Sequence, residues 1–277
     1  MTTVNTAFMP CYILPEELSQ FGLPCSGEQS DIVNLVQTAS TLIDEACGRV
    51  DGDGNGSLVY TTYSQRLLVQ VRNRNLVEIP MKPIAAVTPD TVTDLQNMAA
   101  TGTYNGQPFN CWYAGDLQPN TQPAANGLLS GIVAASGRYG YTRQDLSLAY
   151  PDLFAFINPL NLVTMFGGPA PWFAIDITQT DYDSKSGECW PPAGLQLQKY
   201  SELALVYNSG FDPRKMPRGI KFATAMIVKN LLGKGGGTTG LLSVSMSRSG
   251  ANVTMMPDVI DPTIDAMLAP FKNIRSY

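Results

Sequence analysis

The sequence predicts an α+β protein: a small helical bundle made from the N- and C-terminal segments, with a β-hairpin and a large inserted β/loop region. Three observations predict it. Apolar residues recur at helical spacing near both ends of the chain; the period falls to two from about residue 57; and the stretch from roughly 96 to 195 is rich in Gly, Pro, Asn and aromatic residues. At 277 residues the chain is long enough for one large domain or two modest ones. The expected division puts residues 1–56 and 201–277 in a helical core and residues 57–200 in a β-rich region, with the hairpin at 64–80 and the insertion at about 96–195.

Each element has its own signal. LPEELSQFG places Pro15 at a first helical position, Glu16 and Glu17 in the first turn and Gly22 just past the end. Ser26 to Gln29 has capping-box spacing, and Ile32, Leu35, Val36, Ala39, Leu42, Ile43 and Ala46 then form one apolar face, predicting a helix over 28–48. SQRLLVQVRNRNLVEIP alternates through Leu67, Val69 and Val71, turns at Asn73–Asn75 and resumes with Leu76, Val77 and Ile79, the pattern of a hairpin. Short apolar runs such as GLLSGIVAA and WFAIDIT predict short strands within the long middle region. Leu203–Tyr207 reads as a further strand. Pro217 suits a helix start, and Ile220, Ala223, Ile227 and Leu231 mark the buried face of the helix that follows, up to Gly233. LLSVSMSRSG is polar at alternate positions, as in an extended arm or edge strand. Asp261-Pro262 is a cap and first-position pair for a short last helix with Ile264, Met267, Leu268 and Phe271 on its apolar face.

Composition removes whole classes of chemistry. The chain contains no histidine, which excludes Ser-His-Asp and Cys-His arrangements and any zinc site built on imidazole. The net charge of −5, with no run of Lys or Arg, argues against a protein that grips nucleic acid through its phosphates. Cys11, Cys25, Cys47, Cys111 and Cys189 are scattered and odd in number, which fits free thiols in a reducing compartment better than a disulfide framework. MTTVNTAFMP has neither the basic start nor the apolar core of a secretory signal, and no apolar run approaches the length of a membrane span. A protein made and kept in a cytoplasm, with no membrane partner, is expected.

Four stretches hint at ligands, and each has a plainer explanation. DGDGNG at Asp51–Gly56 opens like an EF-hand loop, but the twelfth position is Thr62 rather than Glu, and a strand follows. LLGKGGGTTG has a Lys among glycines, yet it comes after a helix, whereas a phosphate loop precedes one. Asp176, Asp181 and Asp183 offer paired carboxylates of the kind glycosidases use. Trp112, Trp172 and Trp190 offer a sugar platform, though buried packing or an interface is the commoner use of such rings. No metal and no cofactor is expected.

The order of the end segments resembles a known family. An LPEEL helix, a long helix ending in ACGR and the stretch QRLLVQV…NLVEIPMKPIAAVT lead to V-x-D-L; much later come ALVYNSGFD, MPRGIKFATAMIVKNLL, an arm and a short helix ending in FKNIRSY. This order is similar to the head–tail adaptor (connector) proteins of tailed bacteriophages. In that family a strand ending in an aromatic-x-x-Gly-aromatic turn leads through a proline into an alanine-rich helix; the matching residues are Tyr207, Gly210, Phe211 and Pro217, then Ile220, Ala223 and Ala225. The resemblance covers about residues 12–95 and 200–277. The middle departs from it, with about a hundred residues where the family has a much shorter connection.

The resemblance implies a structural virion protein without catalytic activity, assembled in the host cytoplasm and located in the neck of the particle. It implies a homo-oligomeric ring, usually twelvefold, that docks on the portal protein through one face and its C-terminal segment. The other face receives a head-stopper or tail protein, and DNA passes through the lumen without sequence-specific binding. An acidic lumen suits sliding DNA, because like charge discourages sticking. The expected portal contacts are Met255, Met256, Ile264, Met267, Leu268, Phe271 and Tyr277, with packing of the same face inside the monomer as the other use for it. Two rival expectations remain: a carbohydrate-binding or glycan-cleaving β domain centred on residues 100–195, and another tail-completion or minor capsid protein.

Overall fold

Helices form where the apolar spacing is 3.6 residues, and in the computed structural model there are four of them among the described residues. They are α1 (Gln29–Ala46), α2 (Pro89–Thr101), α3 (Arg218–Lys234) and α4 (Pro262–Leu268). The strands, in chain order, are β1 (Thr61–Leu68), β2 (Val77–Glu78), β3 (Thr103–Tyr104), β4 (Gln107–Pro108), β5 (Ile132–Arg138) and β6 (Trp172–Ile175). They continue with β7 (Asp181–Tyr182), β8 (Glu188–Trp190), β9 (Glu202–Ser209), β10 (Leu241–Ser247) and β11 (Gly250–Met255). The structure describes residues 11–23, 29–49, 56–69, 76–101, 103–104, 107–108, 117–138, 172–192, 200–234, 241–247, 250–255 and 260–272. The chain is thus mixed α and β, with antiparallel sheets. It divides into two compact units, one from residues 1–59, 99–113 and 211–274, the other from residues 60–98, 114–210 and 275–277.

The first unit is built on helix packing. Val36, Ala39 and Ile43 of α1, Ile220, Ala223, Ile227 and Val228 of α3, and Ile264 and Leu268 of α4 are buried in one core. Their spacing of three and four residues puts each set on a single stripe, so burying the stripes against one another removes apolar surface from water. Local chemistry sets the helix ends. The Asp261 carboxylate accepts from the N–H groups of Thr263 (2.8 Å) and Ile264 (2.9 Å), satisfying two donors that α4 leaves open. Pro217 accepts from the N–H groups of Ile220 and Lys221 at the start of α3. Pro15–Phe21 is a 3-10 helix, tighter than an α-helix; it ends at Gly22, whose φ of 73° is left-handed and open to glycine at little cost. Lys221 of α3 holds Glu17 of this turn at 2.8 Å. In the same unit β10 and β11 pair antiparallel as a two-stranded ribbon, where the sequence predicts an arm or edge strand.

The second unit is built on a four-stranded antiparallel sheet in the order β1-β9-β5-β6, with a smaller sheet in the order β2-β8-β7. Leu203, Leu205 and Tyr207 of β9 point to the core while Glu202, Ala204 and Val206 lie on the half-exposed face, the period-two alternation of a one-sided sheet. Tyr63 stacks on Tyr207, its direct cross-strand partner, with ring centroids 5.9 Å apart. Asn208 is fully buried, and its polar atoms are used: Nδ2 donates to the Gln118 carbonyl and to Asn120 Oδ1, both at 2.6 Å, and Oδ1 accepts from Thr62 Oγ1 at 2.7 Å.

Two expectations change here. The hairpin at 64–80 is not one: β1 pairs with β9 over eight residues, from Thr61↔Ser209 to Leu68↔Glu202, whereas β2 pairs with β8. Alternation specifies which face is buried but not which strand lies alongside, and an eight-residue partner offers β1 a far longer ladder than two-residue β2. The strand at 202–209 lies in the β unit rather than with the helices, because both of its edges are occupied, by β1 and by β5. The predicted runs GLLSGIVAA and WFAIDIT become β5 and β6, adjacent strands of this same main sheet. Helix α2 has no counterpart in the sequence-based assignment.

Candidate functional site

The face expected to meet a portal divides in two. Ile264 and Leu268 are fully buried against α3 and the rest of the helical core, so their burial is internal to the unit. Met267 and Phe271 are half-buried, and the Phe271 ring meets Phe211 edge-on at 5.7 Å. Pro270 falls in the 3-10 turn Ala269–Phe271 that ends the helix. Met255 closes β11, opposite Leu241. Met256 and Tyr277 lie outside the described residues, as do Trp112, Asp51–Asn55 of the DGDGNG loop and Gly235–Gly237.

The carboxylates of AIDITQTDYD are spent on local turns. Asp176 accepts from the N–H (2.9 Å) and Oγ1 (2.7 Å) of Thr178 and caps the 3-10 turn Ile177–Gln179. Asp183 accepts from the Lys185 N–H at 3.0 Å. These bonds favour the ionised form, so Asp176 is held below its ordinary pKa by Thr178 and Asp183 by the Lys185 N–H. A glycosidase pair needs the reverse, one carboxyl kept protonated to act as acid. Among the described residues no three Cys, Asp or Glu side chains gather as metal ligands would.

The half-exposed face of the main sheet carries a charged aromatic cluster. The strand register sets Leu68, Glu202, Arg138 and Trp172 in one row across β1, β9, β5 and β6, with Arg66 two residues along β1 on the same face. Glu202 binds both guanidiniums, Arg66 through Nε at 2.7 Å and Arg138 through Nη2 at 3.1 Å. Arg66 and Arg138 sit over the Trp172 ring, 5.2 and 5.5 Å from its centroid. The ring that a sugar would use as a platform therefore already stacks with two guanidiniums.

A third cluster, in the helical unit, has no precursor in the sequence-based list of candidates. Asp44 of α1 is buried, and its Oδ1 accepts from Tyr12 Oη and from the Leu58 N–H at 2.9 Å. Tyr12 Oη lies 2.8 Å from Ser57 Oγ and also accepts from the Leu58 N–H at 3.0 Å, while the Tyr12 N–H donates to Ser40 Oγ at 3.1 Å. Burial pushes the Asp44 carboxyl up to about 7, against the opposing pull of its hydrogen bonds and the nearby Arg49 charge. Burial and the adjacent Asp44 also raise the Tyr12 hydroxyl. The available signal was spacing: Ser40 and Asp44 fall on the stripe of Val36, Ile43 and Cys47, where a polar side chain must find internal partners. A carboxyl titrating near 7 has the acidity of a general acid or base, but Asp44 and Tyr12 are each only 2% exposed, so no substrate reaches them. The cluster's chemistry is to tie the chain at residue 12 and residues 57–58 to α1.

No helix among the described residues is long and apolar enough to cross a membrane. No protein-family model matches the sequence, and no curated protein or solved structure matches it, so what the chain does is argued from its own residues.

Proposed function

We propose that the chain is a structural virion protein of tailed bacteriophages, a head–tail adaptor. It forms a ring, of about twelve copies by the resemblance, that joins the portal to a stopper or tail and lets DNA pass. The observation that carries this reading is the union of the two chain ends: α1, α3 and α4 share one apolar core, while residues 60–98 and 114–210 form a unit of their own. That is the arrangement a helical adaptor with an inserted β/loop region requires. The quoted turn supports it as well. Tyr207 lies near the end of β9 inside the β core, Gly210 just past it takes the positive φ of 116° that glycine tolerates, and Phe211 enters the helical core beside Val59 ahead of α3. For portal docking, Met267 and Phe271 are the members of the expected face with accessible surface among those whose burial is described; Ile264 and Leu268 pack into the core beside them. A net charge of −5 agrees with a lumen that DNA slides through.

Electron microscopy of particles carrying a label on this chain tests the proposal. Density at the neck, and co-purification with portal assemblies, is the expected result. Density at a capsid facet or at the tail tip overturns it in favour of another particle component. A carbohydrate-binding β domain has one observation in its favour, that Trp172 and Trp190 of the β unit are each more than a third exposed. A glycan array on which binding is lost with Trp190→Ala supports that second reading, and flat binding removes it.

A further inference from the structure

In the β unit the main sheet ends on β1, and the hydrogen bonds show which backbone groups of that strand face outward. The Val69 N–H donates to the Ser201 carbonyl at 3.0 Å, which aims residue 69 at β9. The Asn208 N–H donates to the Gly131 carbonyl at 2.9 Å, which aims residue 208 at β5 and away from β1. The register from Thr61↔Ser209 to Leu68↔Glu202 has no shift, so the alternation follows along its whole length. Tyr63, Gln65 and Leu67 turn their N–H and C=O groups to β9, whereas Ser64, Arg66 and Leu68 turn theirs to the open side. Among the described residues no strand pairs on that side. At Thr62 the opening stops, because the Gln118 N–H donates to Thr62 Oγ1. The side chains of Ser64, Arg66 and Leu68 are exposed as well, that of Leu68 to 77% for the residue, while Leu67 on the other face packs against the core. Natural edges are usually blunted by Pro, bulges or charge, and here neither Pro nor a bulge is present; the one charge is Arg66. Arg66 and Arg138 share the carboxylate of Glu202, and the Arg66 side chain keeps 56% of its surface exposed. In a chain of net charge −5, this edge is therefore locally cationic.

We propose that Ser64–Leu68 takes an added strand from another protein, an extended acidic segment whose carboxylate lies across from Arg66. The outward N–H and C=O groups of Ser64, Arg66 and Leu68 hold its main chain, and alternation supplies the selectivity. On the outer face a carboxylate meets Arg66; on the inner face an apolar side chain extends the core beside Leu67. The β1 strand of a second copy fits worse. Centred on this segment, it would set Arg66 opposite Arg66, and TTYSQRLL offers no acidic residue in any register. The edge belongs to the β unit, so the inference goes beyond the adaptor reading and does not rest on it.

Residue-resolved amide hydrogen exchange of the full chain tests it. The probe is an end-blocked peptide that alternates valine and threonine around a central glutamate, with a central-lysine peptide as its counterpart. In the chain alone, the amides of Ser64, Arg66 and Leu68 should exchange about tenfold or more faster than those of Tyr63, Gln65 and Leu67. The glutamate peptide should slow those outward amides and leave the inward ones unchanged, and the lysine peptide should bind about fivefold more weakly. Arg66→Glu should reverse that preference. Ser64→Pro removes an outward N–H and spares the ladder to β9, so it should weaken peptide binding while the sheet stays folded. Outward amides already protected in the chain alone, or unchanged by the glutamate peptide at millimolar concentration, overturn the proposal. So does equal binding of the two peptides, or an Arg66→Glu chain that keeps the wild-type preference. Protection that grows with chain concentration in the absence of peptide overturns it in favour of a second copy. A label found away from the neck would sink the adaptor reading and leave this result standing; a peptide-indifferent edge on chains located at the neck would sink this inference alone.

Discussion

Raising the pH from 5 to 8 should destabilise the helical unit by about 2–3 kcal/mol through Asp44 alone. The carboxyl is buried, with a folded pKa of about 7 against an ordinary value of 3.8. An acid whose folded pKa lies above its unfolded one gives stability that is complete below the unfolded value. That stability is lost as the pH rises through the folded value, because the unfolded chain releases the proton first. The window is therefore pH 4 to 7. From pH 5 to complete ionisation the folded state gives up about two pK units, each about 1.4 kcal/mol. Urea unfolding followed by helical ellipticity reports mainly this unit, since α1, α3 and α4 belong to it and α2 alone of the described α-helices lies largely in the other. Asp44→Asn supplies the control. The amide keeps an oxygen for the Leu58 N–H and the Tyr12 hydroxyl and, like the protonated carboxyl, carries a donor. It should flatten the pH dependence and leave the variant more stable than the wild type at pH 8. Equal slopes in the two proteins, or a wild type indifferent to pH across the window, would refute the assignment of the buried proton to Asp44.

Other outcomes separate the roles assigned above. Ile264→Ala and Leu268→Ala should each cost about 2–4 kcal/mol in urea unfolding, as buried large-to-small changes do, whereas Met267→Ala should cost less than about 1 kcal/mol while weakening portal co-purification. Asn208→Leu strands the partners Thr62, Gln118 and Asn120 and should cost the β unit about 1–3 kcal/mol, read by the fluorescence of Trp172 and Trp190. Burial pushes the Cys47 and Cys189 thiols up to about 12, so both should resist maleimide at pH 8 until the chain unfolds, as peptide mapping would show. Rapid native-state labelling of Cys47 would mean that the helical core opens.

What could be read from the residues divides along a physical line. Helices whose stripe meets the core were legible: α1 within two residues of its ends, the proline that precedes α3 and the Asp261-Pro262 cap all follow from interactions within a few residues of chain. Helix α2 escaped because only Val92 and Leu95 are apolar in its first nine residues; its sequence clue was Thr88-Pro89, with Thr88 Oγ1 accepting from the Thr91 N–H at 3.1 Å. Strand existence was legible from alternation, but partner choice was not, since β1 and β9 are joined by contacts across some 140 residues. Of the proposed docking face, helical spacing marks Ile264 and Met267 alike as apolar. Only packing distinguishes the fully buried residue from the half-exposed one.

The shared core of α1 and α3 also has a consequence in time. About 170 residues separate the end of α1 from the start of α3. On a ribosome adding roughly 5–20 residues per second, α1 waits on the order of ten to thirty seconds for the helix that covers Val36, Ala39 and Ile43. The β unit, largely contiguous from residue 60 to 210, emerges complete in that interval. The first helix to be made is thus among the last to be buried, and in the crowded cell its apolar stripe is the part of the nascent chain most in need of a chaperone.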